Sequence, residues 1–427
     1  MIDPKTLIDP TQSGMPAPVS FVQFFKALGF TLHTVPMNLW YAGLLIALVL
    51  HLRGSEPGRR FAGRLLQQMP IIVAFGINFG IVPLLFMQLA YYKVFYPATI
   101  LMACFWLAII VLLIPAYYGV YAYALGLSNS GDYPVSRRGK NGTVSLGAAS
   151  GTGMAGWRRA AGWVSALLFI CIGFTFANGM SLMEHVPRWL ELWNAYSTAA
   201  AATGTALNVG DPTLWPRWLL MFGLALGTTA VWVLVDAVFL IRRPCGAGVS
   251  PAEGGRAVPT ARAGKTPAPQ SGGTADEAYQ AWAWGFARRL YSVAMLWAAA
   301  AGAWYVFHAW PANLRDTMFQ WPMILLTVAT AVAPGLPWLL MMTAGLCSAK
   351  RATVAAIAFS QFGVLGINAV SRQIVQNINL KPFLDVSAQP TDVQWGPLAM
   401  FVIVFVLGLA VVGWMIAQIV KCKPKKG

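Results

Sequence analysis

Nine long apolar segments restrict this chain to a membrane-embedded fold. The hydrocarbon core of a bilayer is about 30 Å thick, and about 20 residues of α-helix cross it. The segments comprise residues 36–53, 69–91, 98–125, 159–180, 216–241, 288–309, 321–347, 353–376 and 397–420. They are expected to be helical, because an isolated strand in lipid would leave its backbone hydrogen-bonding groups unpaired. The sequence therefore predicts an all-α integral membrane protein with about nine transmembrane helices.

The composition excludes a soluble enzyme. Hydrophobic residues make up 57% of the 427 residues and charged residues only 10%, whereas a soluble domain carries about 25% charged residues. So few charges cannot cover a water-exposed surface. The net charge of +16 would suit a nucleic-acid ligand, but membrane topology accounts for it. The bilayer is thus an expected partner, and nucleic acid is not.

The basic residues orient the chain. With the N-terminus outside, the connections on the cytoplasmic side collect most of the 30 lysines and arginines, as the positive-inside rule requires. We expect an extracytoplasmic segment at 1–35, a transmembrane bundle at 36–420 and a basic cytoplasmic tail at 421–427. Residues 128–156 and 244–280 are rich in small residues or proline and are predicted to be flexible cytoplasmic loops.

Two outer segments are predicted to be helices that lie in the membrane interface. Residues 20–33 place Phe21 and Phe25 at helical spacing, and residues 186–196 do the same with Trp189 and Trp193. Aromatic side chains at this spacing anchor a helix at the level of the lipid head groups.

The eighth apolar segment carries a polar stripe. Gln361, Asn368, Arg372 and Gln376 are separated by 7, 4 and 4 residues, so they share one helical face. Amides on such a face commonly bond neighbouring helices, and for Gln361 and Asn368 this structural role is at least as well supported as a functional one. The Arg372 guanidinium requires a carboxylate, carbonyl oxygens or a ligand, unless its side chain extends to the outer lipid surface.

Two further sets of ionisable residues lie at the ends of predicted helices. Glu184 and His185 close the fourth segment, where they form either the plain end of a helix or a pair that accepts and passes protons. Asp236 lies near the inner end of the fifth segment, and a local ion pair with Arg242 and Arg243 would account for it.

A resemblance is carried by residues 78–86 with 95–97 and by residues 368–373 with Pro382 and 394–398. These segments resemble bacterial membrane proteins that accompany c-type cytochromes in electron-transfer complexes. The resemblance covers two of the nine segments. It implies a quinone-linked subunit of the bacterial cytoplasmic membrane whose partner is an extracytoplasmic c-type cytochrome or another redox subunit. The chain has no C-x-x-C-H motif, so a covalent haem c would belong to the partner.

The first functional hypothesis is therefore a quinol-interacting redox subunit with its site at the outer face. Glu184 and His185 are the candidate catalytic proton acceptors. The candidate quinone-binding residues are Arg372, Gln376, Asn368, Gln88 and His308. The expected cofactor is quinone or quinol. Haem b is a second candidate cofactor, and its candidate ligands are His33, His185 and His308. No separate metal-ion site is expected.

Two alternatives belong to other functional classes. A secondary transporter or channel would explain the proline and glycine breaks around Pro83 and Pro334, although the sequence has no internal repeat and lacks mid-membrane carboxylates. A cofactor-free anchor for peripheral subunits would explain the scarcity of histidines and acids.

Overall fold

The computed structural model describes residues 14–129, 137–138, 144–145, 154–240, 271–344 and 351–420. The helices are α1 (Val19–Asn38), α2 (Leu44–Arg53), α3 (Glu56–Leu101), α4 (Ala103–Asn129), α5 (Gly156–Glu184), α6 (Trp189–Ala195), α7 (Leu214–Val235), α8 (Ser271–Ala303), α9 (Ala312–Met318), α10 (Met323–Val332), α11 (Gly335–Thr343), α12 (Arg351–Leu380) and α13 (Trp395–Val420). Turns of π-helix span Leu39–Gly43, Asp236–Leu240 and Trp304–Ala309, and 3-10 turns span Val186–Arg188 and Val386–Ala388. Two antiparallel hairpins pair β1 (Arg137–Arg138) with β2 (Val144–Ser145) and β3 (Ser197–Thr198) with β4 (Ala201–Ala202).

Eight helical stretches of the described chain are long and apolar enough to cross a membrane. They are Val19–Arg53, Glu56–Leu101, Ala103–Leu127, Gly156–Glu184, Leu214–Leu240, Asp276–Ala309, Met323–Thr343 and Arg351–Leu380. They overlap the first eight predicted segments in order, which supports a multi-pass all-α membrane protein. The ninth predicted segment lies in α13, where the described apolar stretch is the shorter Trp395–Val411. The count of nine and the orientation remain predictions.

Residues 20–33 are predicted to form a separate helix in the membrane interface, and the structure differs. They are the first part of α1, which continues through the π-helical turn into α2 as one stretch, Val19–Arg53. Tertiary packing explains the difference, because α1 lies against α3 and α12 along its length and buries Val22, Lys26 and Gly29. The second outer segment does contain a short helix, α6, which buries Trp189 and Leu192.

The prediction of a flexible loop at 244–280 is wrong for its last ten residues. Helix α8 already begins at Ser271, and the side chain of Tyr279 is buried in the bundle. Residues 244–270 and 421–427, and most of 128–156, lie outside the described residues. A composition rich in small residues predicted a linker, but the contacts of Tyr279 with distant helices stabilise a helix there.

Asp236 has different partners from those predicted. Its carboxylate accepts a hydrogen bond from Arg64 Nε at 2.9 Å and one from the Tyr279 hydroxyl at 2.6 Å. Arg64 also donates to the Leu240 carbonyl oxygen at 2.6 Å. Arg242 and Arg243 lie outside the described residues. One buried carboxylate thus joins α3, the end of α7 and α8.

Two glycines of α3 permit the close approach of α1. A Cβ atom at Gly76 would lie 1.9 Å from the Trp40 ring, and one at Gly80 would lie 2.8 Å from the His33 ring. Since no side chain larger than hydrogen fits there, the rings of His33 in α1 and of Trp40 in the following π-helical turn pack directly onto the α3 backbone. This contact places His33 and Trp40 beside a cavity in the bundle.

Candidate functional site

A cavity of about 340 Å³ lies among α1, α3, α4, α5, α7 and α12. Its walls are mostly apolar and rich in aromatic rings. Representative lining residues are Phe30, Trp40, Tyr41, Ile77, Phe169 and Trp218. Trp40 stacks on Phe169 with ring centroids 5.6 Å apart, which fixes the position of both rings. The apolar walls follow from the sequence, because each helix of the bundle is apolar on several faces.

The polar side chains of this cavity include a buried lysine. Lys26 is 6% exposed, and its Nζ donates a hydrogen bond to Gln376 Oε1 at 2.5 Å. The same nitrogen lies 4.0 Å from the centroid of the Tyr91 ring. The Tyr91 hydroxyl in turn donates to Asn377 Oδ1 at 2.5 Å. Lys26 of α1 therefore contacts α12 through the Gln376 amide and α3 through the face of the Tyr91 ring.

Arg372 also lines the cavity, and its guanidinium is incompletely bonded. The guanidinium carbon lies 5.0 Å from the centroid of the Phe30 ring. Its Nη1 is buried and has no hydrogen-bond partner among the residues described. Glu184 lines the same cavity, but its carboxylate accepts a hydrogen bond from Arg217 Nη1 at 2.7 Å. Arg372 therefore retains a donor that a ligand in the cavity could use.

A second, much smaller cavity of about 10 Å³ adjoins Arg372 and Asn368. Asn38 lines it too, is 1% exposed, and has a side-chain oxygen without a hydrogen-bond partner in the described part of the chain. The volume suits about one water molecule, which needs two to four polar partners. Asn368 thus lies beside Arg372, as the helical stripe predicts, although it does not line the large cavity.

Gln361 bonds neighbouring helices, as the structural interpretation of the stripe expects. It accepts a hydrogen bond from the Tyr291 hydroxyl at 2.8 Å and donates to Thr228 Oγ1 at 3.3 Å. Asn38 Nδ2 donates to the same Thr228 oxygen at 2.8 Å. The stripe therefore combines a structural end at Gln361 with a cavity-facing end at Arg372 and Gln376.

Besides Asn368, two of the predicted quinone-binding residues, His308 and Gln88, do not line the large cavity. His308 is exposed at the π-helical end of α8, and α8 contributes no lining residue. Gln88 is half-buried on α3 and lies off the lining, whereas its neighbours Leu84 and Met87 belong to it. Depth in the membrane suggested both residues, but depth does not determine which helical face meets the cavity.

His185 belongs to a hydrogen-bonded network beside Glu184. Its Nδ1 lies 3.4 Å from Asp211 Oδ2, and Ser181 donates to the same oxygen at 2.5 Å. Burial by itself raises the pKa of the Asp211 carboxyl. Hydrogen bonds from His185, Ser181 and the Thr213 amide, with the charge of His185, outweigh burial and lower that pKa from 3.8 to about 2. Arg217 Nη2 lies 3.9 Å from Asp211, which connects this network to Glu184.

The three candidate haem ligands lie in three different surroundings. His33 lines the cavity, and its Nδ1 is 2.8 Å from the Gly76 carbonyl oxygen. His185 belongs to the Asp211 network, and His308 is exposed. The cavity therefore brings together no two of these histidines.

Sequence reasoning missed Lys26 and Arg217 as site residues. Lys26 lies on the predicted interfacial helix, where a lysine is ordinary. A signal did exist, because Lys26, Phe30, His33 and Met37 follow helical spacing and all line the cavity. Arg217 gave no comparable signal, since its partner Glu184 is 33 residues away in sequence.

Comparisons of this chain with protein-family models, with curated proteins and with solved structures found no match. The cavity and its polar residues are therefore the basis for the functional argument.

Proposed function

We propose that this chain is the membrane subunit of a respiratory electron-transfer complex and that its cavity binds quinone or quinol. The observation that carries the proposal is the pair Lys26 and Arg372 in a cavity whose walls are mostly apolar and aromatic. A quinone has the matching chemistry, because its carbonyl oxygens accept hydrogen bonds while its ring and tail are apolar. The resemblance to proteins that accompany c-type cytochromes in the bacterial cytoplasmic membrane agrees with this ligand.

The size and chemistry of the cavity support a ring-shaped ligand. A volume of about 340 Å³ is near the lower end of the range for small-molecule sites, about 300–1,000 Å³. The rings of Phe30, Trp40 and Phe169 offer flat surfaces against which a quinone ring can pack. In this arrangement Lys26 Nζ and Arg372 Nη1 donate hydrogen bonds to the quinone oxygens.

Quinol oxidation releases two protons and two electrons, and each needs an acceptor. We assign both proton-accepting steps to Glu184, which lines the cavity and takes the second proton after it has passed the first to His185. Its ion pair with Arg217 leads on to Asp211 and then to His185, whose side chain is 32% exposed. The electrons would pass singly to the haem of an extracytoplasmic c-type cytochrome that binds this subunit.

The test is quinone binding and quinol-dependent reduction of an added c-type cytochrome. Lys26→Met and Arg372→Gln should each weaken the binding of a short-chain quinone by about 10- to 150-fold, since a hydrogen bond to a charged donor contributes about 1.5–3 kcal/mol. Lys381→Met and His308→Ala are matched controls, because both residues are exposed. Their binding should equal that of the unmodified chain.

Thermal unfolding of each variant separates loss of binding from loss of fold. If well-folded Lys26→Met and Arg372→Gln variants bind quinone as tightly as the two controls, the cavity is not the quinone site. If the unmodified chain binds no quinone at all, the redox proposal fails and the anchor alternative gains support.

A secondary transporter is the second candidate, and one observation favours it. The backbone of α3 leaves the helical region at Tyr91, with φ −122° and ψ 20°, directly beneath Lys26. Transporter sites are commonly built at such helix breaks. Ligand flux into proteoliposomes that contain this chain alone would support the transporter, and cytochrome reduction without flux would support the redox subunit.

A further inference from the structure

The cations beside the cavity exceed the acids. Lys26 and Arg372 both line it, and no carboxylate among the described residues lies within ion-pair distance of either. Glu184 is the acid that lines the cavity, and Arg217 already contacts its carboxylate at 2.7 Å. Lys26 and Arg372 thus face the cavity without a carboxylate of their own.

The charge balance extends one step beyond the cavity. The other hydrogen-bond donor group of Arg217, Nη2, lies 3.9 Å from Asp211. Taken together, Lys26, Arg217 and Arg372 are three basic side chains, whereas Glu184 and Asp211 are two acidic ones. The basic side chains of the site therefore outnumber its acidic ones by one.

Neutral groups compensate the two cavity cations only in part. Lys26 has the Gln376 oxygen and the Tyr91 ring, and Arg372 has the Phe30 ring. Cation–π contacts of this kind are favourable but weaker than contact with a carboxylate. An unpaired charge inside a membrane protein is costly, and the unbonded Arg372 Nη1 adds an unused donor. A ligand oxygen that carries negative charge would satisfy both deficits.

We infer that the cavity binds its ligand with an anionic head group, namely a quinone ring that bears an ionised hydroxyl. The inference rests on the proposed quinone site and specifies the charge of its ligand. The ionised oxygen lies where Lys26 and Arg372 both donate to it, and the ring packs among the aromatic side chains. Neutral quinones bind the same cavity more weakly, because their carbonyl oxygens offset less of the positive charge.

The experiment compares two probes that differ in a single group. One is a 2-hydroxy-1,4-naphthoquinone with a 3-alkyl chain, and the other is its 2-methyl ether, which cannot ionise. Binding to the purified full chain in detergent is followed by quenching of tryptophan fluorescence, since Trp40 and Trp218 line the cavity. Where the hydroxyl is ionised, the hydroxy compound should bind at least about tenfold more tightly than the ether.

The pH dependence and the variants identify the cause of the preference. The preference should disappear as the pH falls below the pKa of the probe's own hydroxyl, while ether binding stays constant. Lys26→Met and Arg372→Gln should each reduce the ratio of the two affinities, and Lys381→Met should leave it unchanged. Arg372→Lys keeps the charge and should retain most of the ratio.

The outcomes separate this inference from the proposed function. Equal affinity of the unmodified chain for both probes would overturn the anionic head group and leave the quinone site intact. Binding of neither probe would overturn the quinone site itself. A preference that survives in both Lys26→Met and Arg372→Gln would also overturn the inference, because the charge recognised would then lie elsewhere.

Discussion

Replacing Asp236 by asparagine should destabilise the protein far more than the same change at Asp276. Both aspartates pair with an arginine of α3, so the chain supplies its own matched control. Asp236 is 1% exposed and pairs with Arg64 at 2.9 Å. Asp276 is 32% exposed and pairs with Arg60 at 2.6 Å. The two ion pairs are similar in length and differ in burial.

The expected magnitudes follow from that difference. Removing one partner of a buried ion pair costs about 3–5 kcal/mol, because the other charge stays buried and loses its counter-ion. The loss of stability in Asp236→Asn should lie near the lower end of this range, since the Arg64 side chain is 24% exposed and water can partly solvate it. Exposed pairs contribute about 0.2–1 kcal/mol, so Asp276→Asn should lose no more than that. Tyr279→Phe removes one hydrogen bond to the Asp236 carboxylate and should cost about 2 kcal/mol.

The free energy of unfolding of each variant can be measured in mixed micelles, with the unmodified chain alongside. A double variant, Asp236→Asn with Tyr279→Phe, should lose less than the sum of the two single losses, because both changes remove the same contact. Equal losses at Asp236 and Asp276 would refute the reasoning. That result would mean that burial of the carboxylate does not determine the stability contributed at this end of α8.

Three further predictions concern other parts of the chain. The pKa of Asp211 is lowered to about 2, so its ionised form stabilises the fold above its ordinary pKa by about 2 kcal/mol, and this is lost as the pH falls toward 2. Asp211→Asn should therefore flatten the decline of thermal stability in acid, and parallel curves would contradict the assignment. Shortening residues 244–270 should leave the melting temperature nearly unchanged, whereas a deletion through residue 280 should lower it, because Tyr279 is buried; equal effects would show that α8 does not need its first turns. Cys422 should react with a membrane-impermeant thiol reagent only after cells are permeabilised, and labelling of intact cells would reverse the predicted orientation.

The helices and one polar face that meets the interior of the bundle could be predicted from the sequence. Each apolar segment is a local property of the chain, and lipid forces such a segment into a helix. The stripe on α12 was equally local, because positions 4 and 7 residues apart share a face in any helix. The structure buries Gln361 and Gln376 and places Arg372 at the cavity, so the stripe correctly indicated the interior of the bundle.

Tertiary structure alone decided the partners. Lys26 bonds Gln376 across 350 residues, Arg64 bonds Asp236 across 172, and Arg217 bonds Glu184 across 33. The period of a helix determines which side chains share a face but not which helix packs against that face. The depth of Gln88 and His308 in the membrane suggested a place at the site, but their helical faces do not meet the cavity. The structure places Lys26 there instead. Their positions depend on how the helices pack together, through contacts such as Trp40 against Gly76, and such contacts form only between segments that are far apart in the sequence.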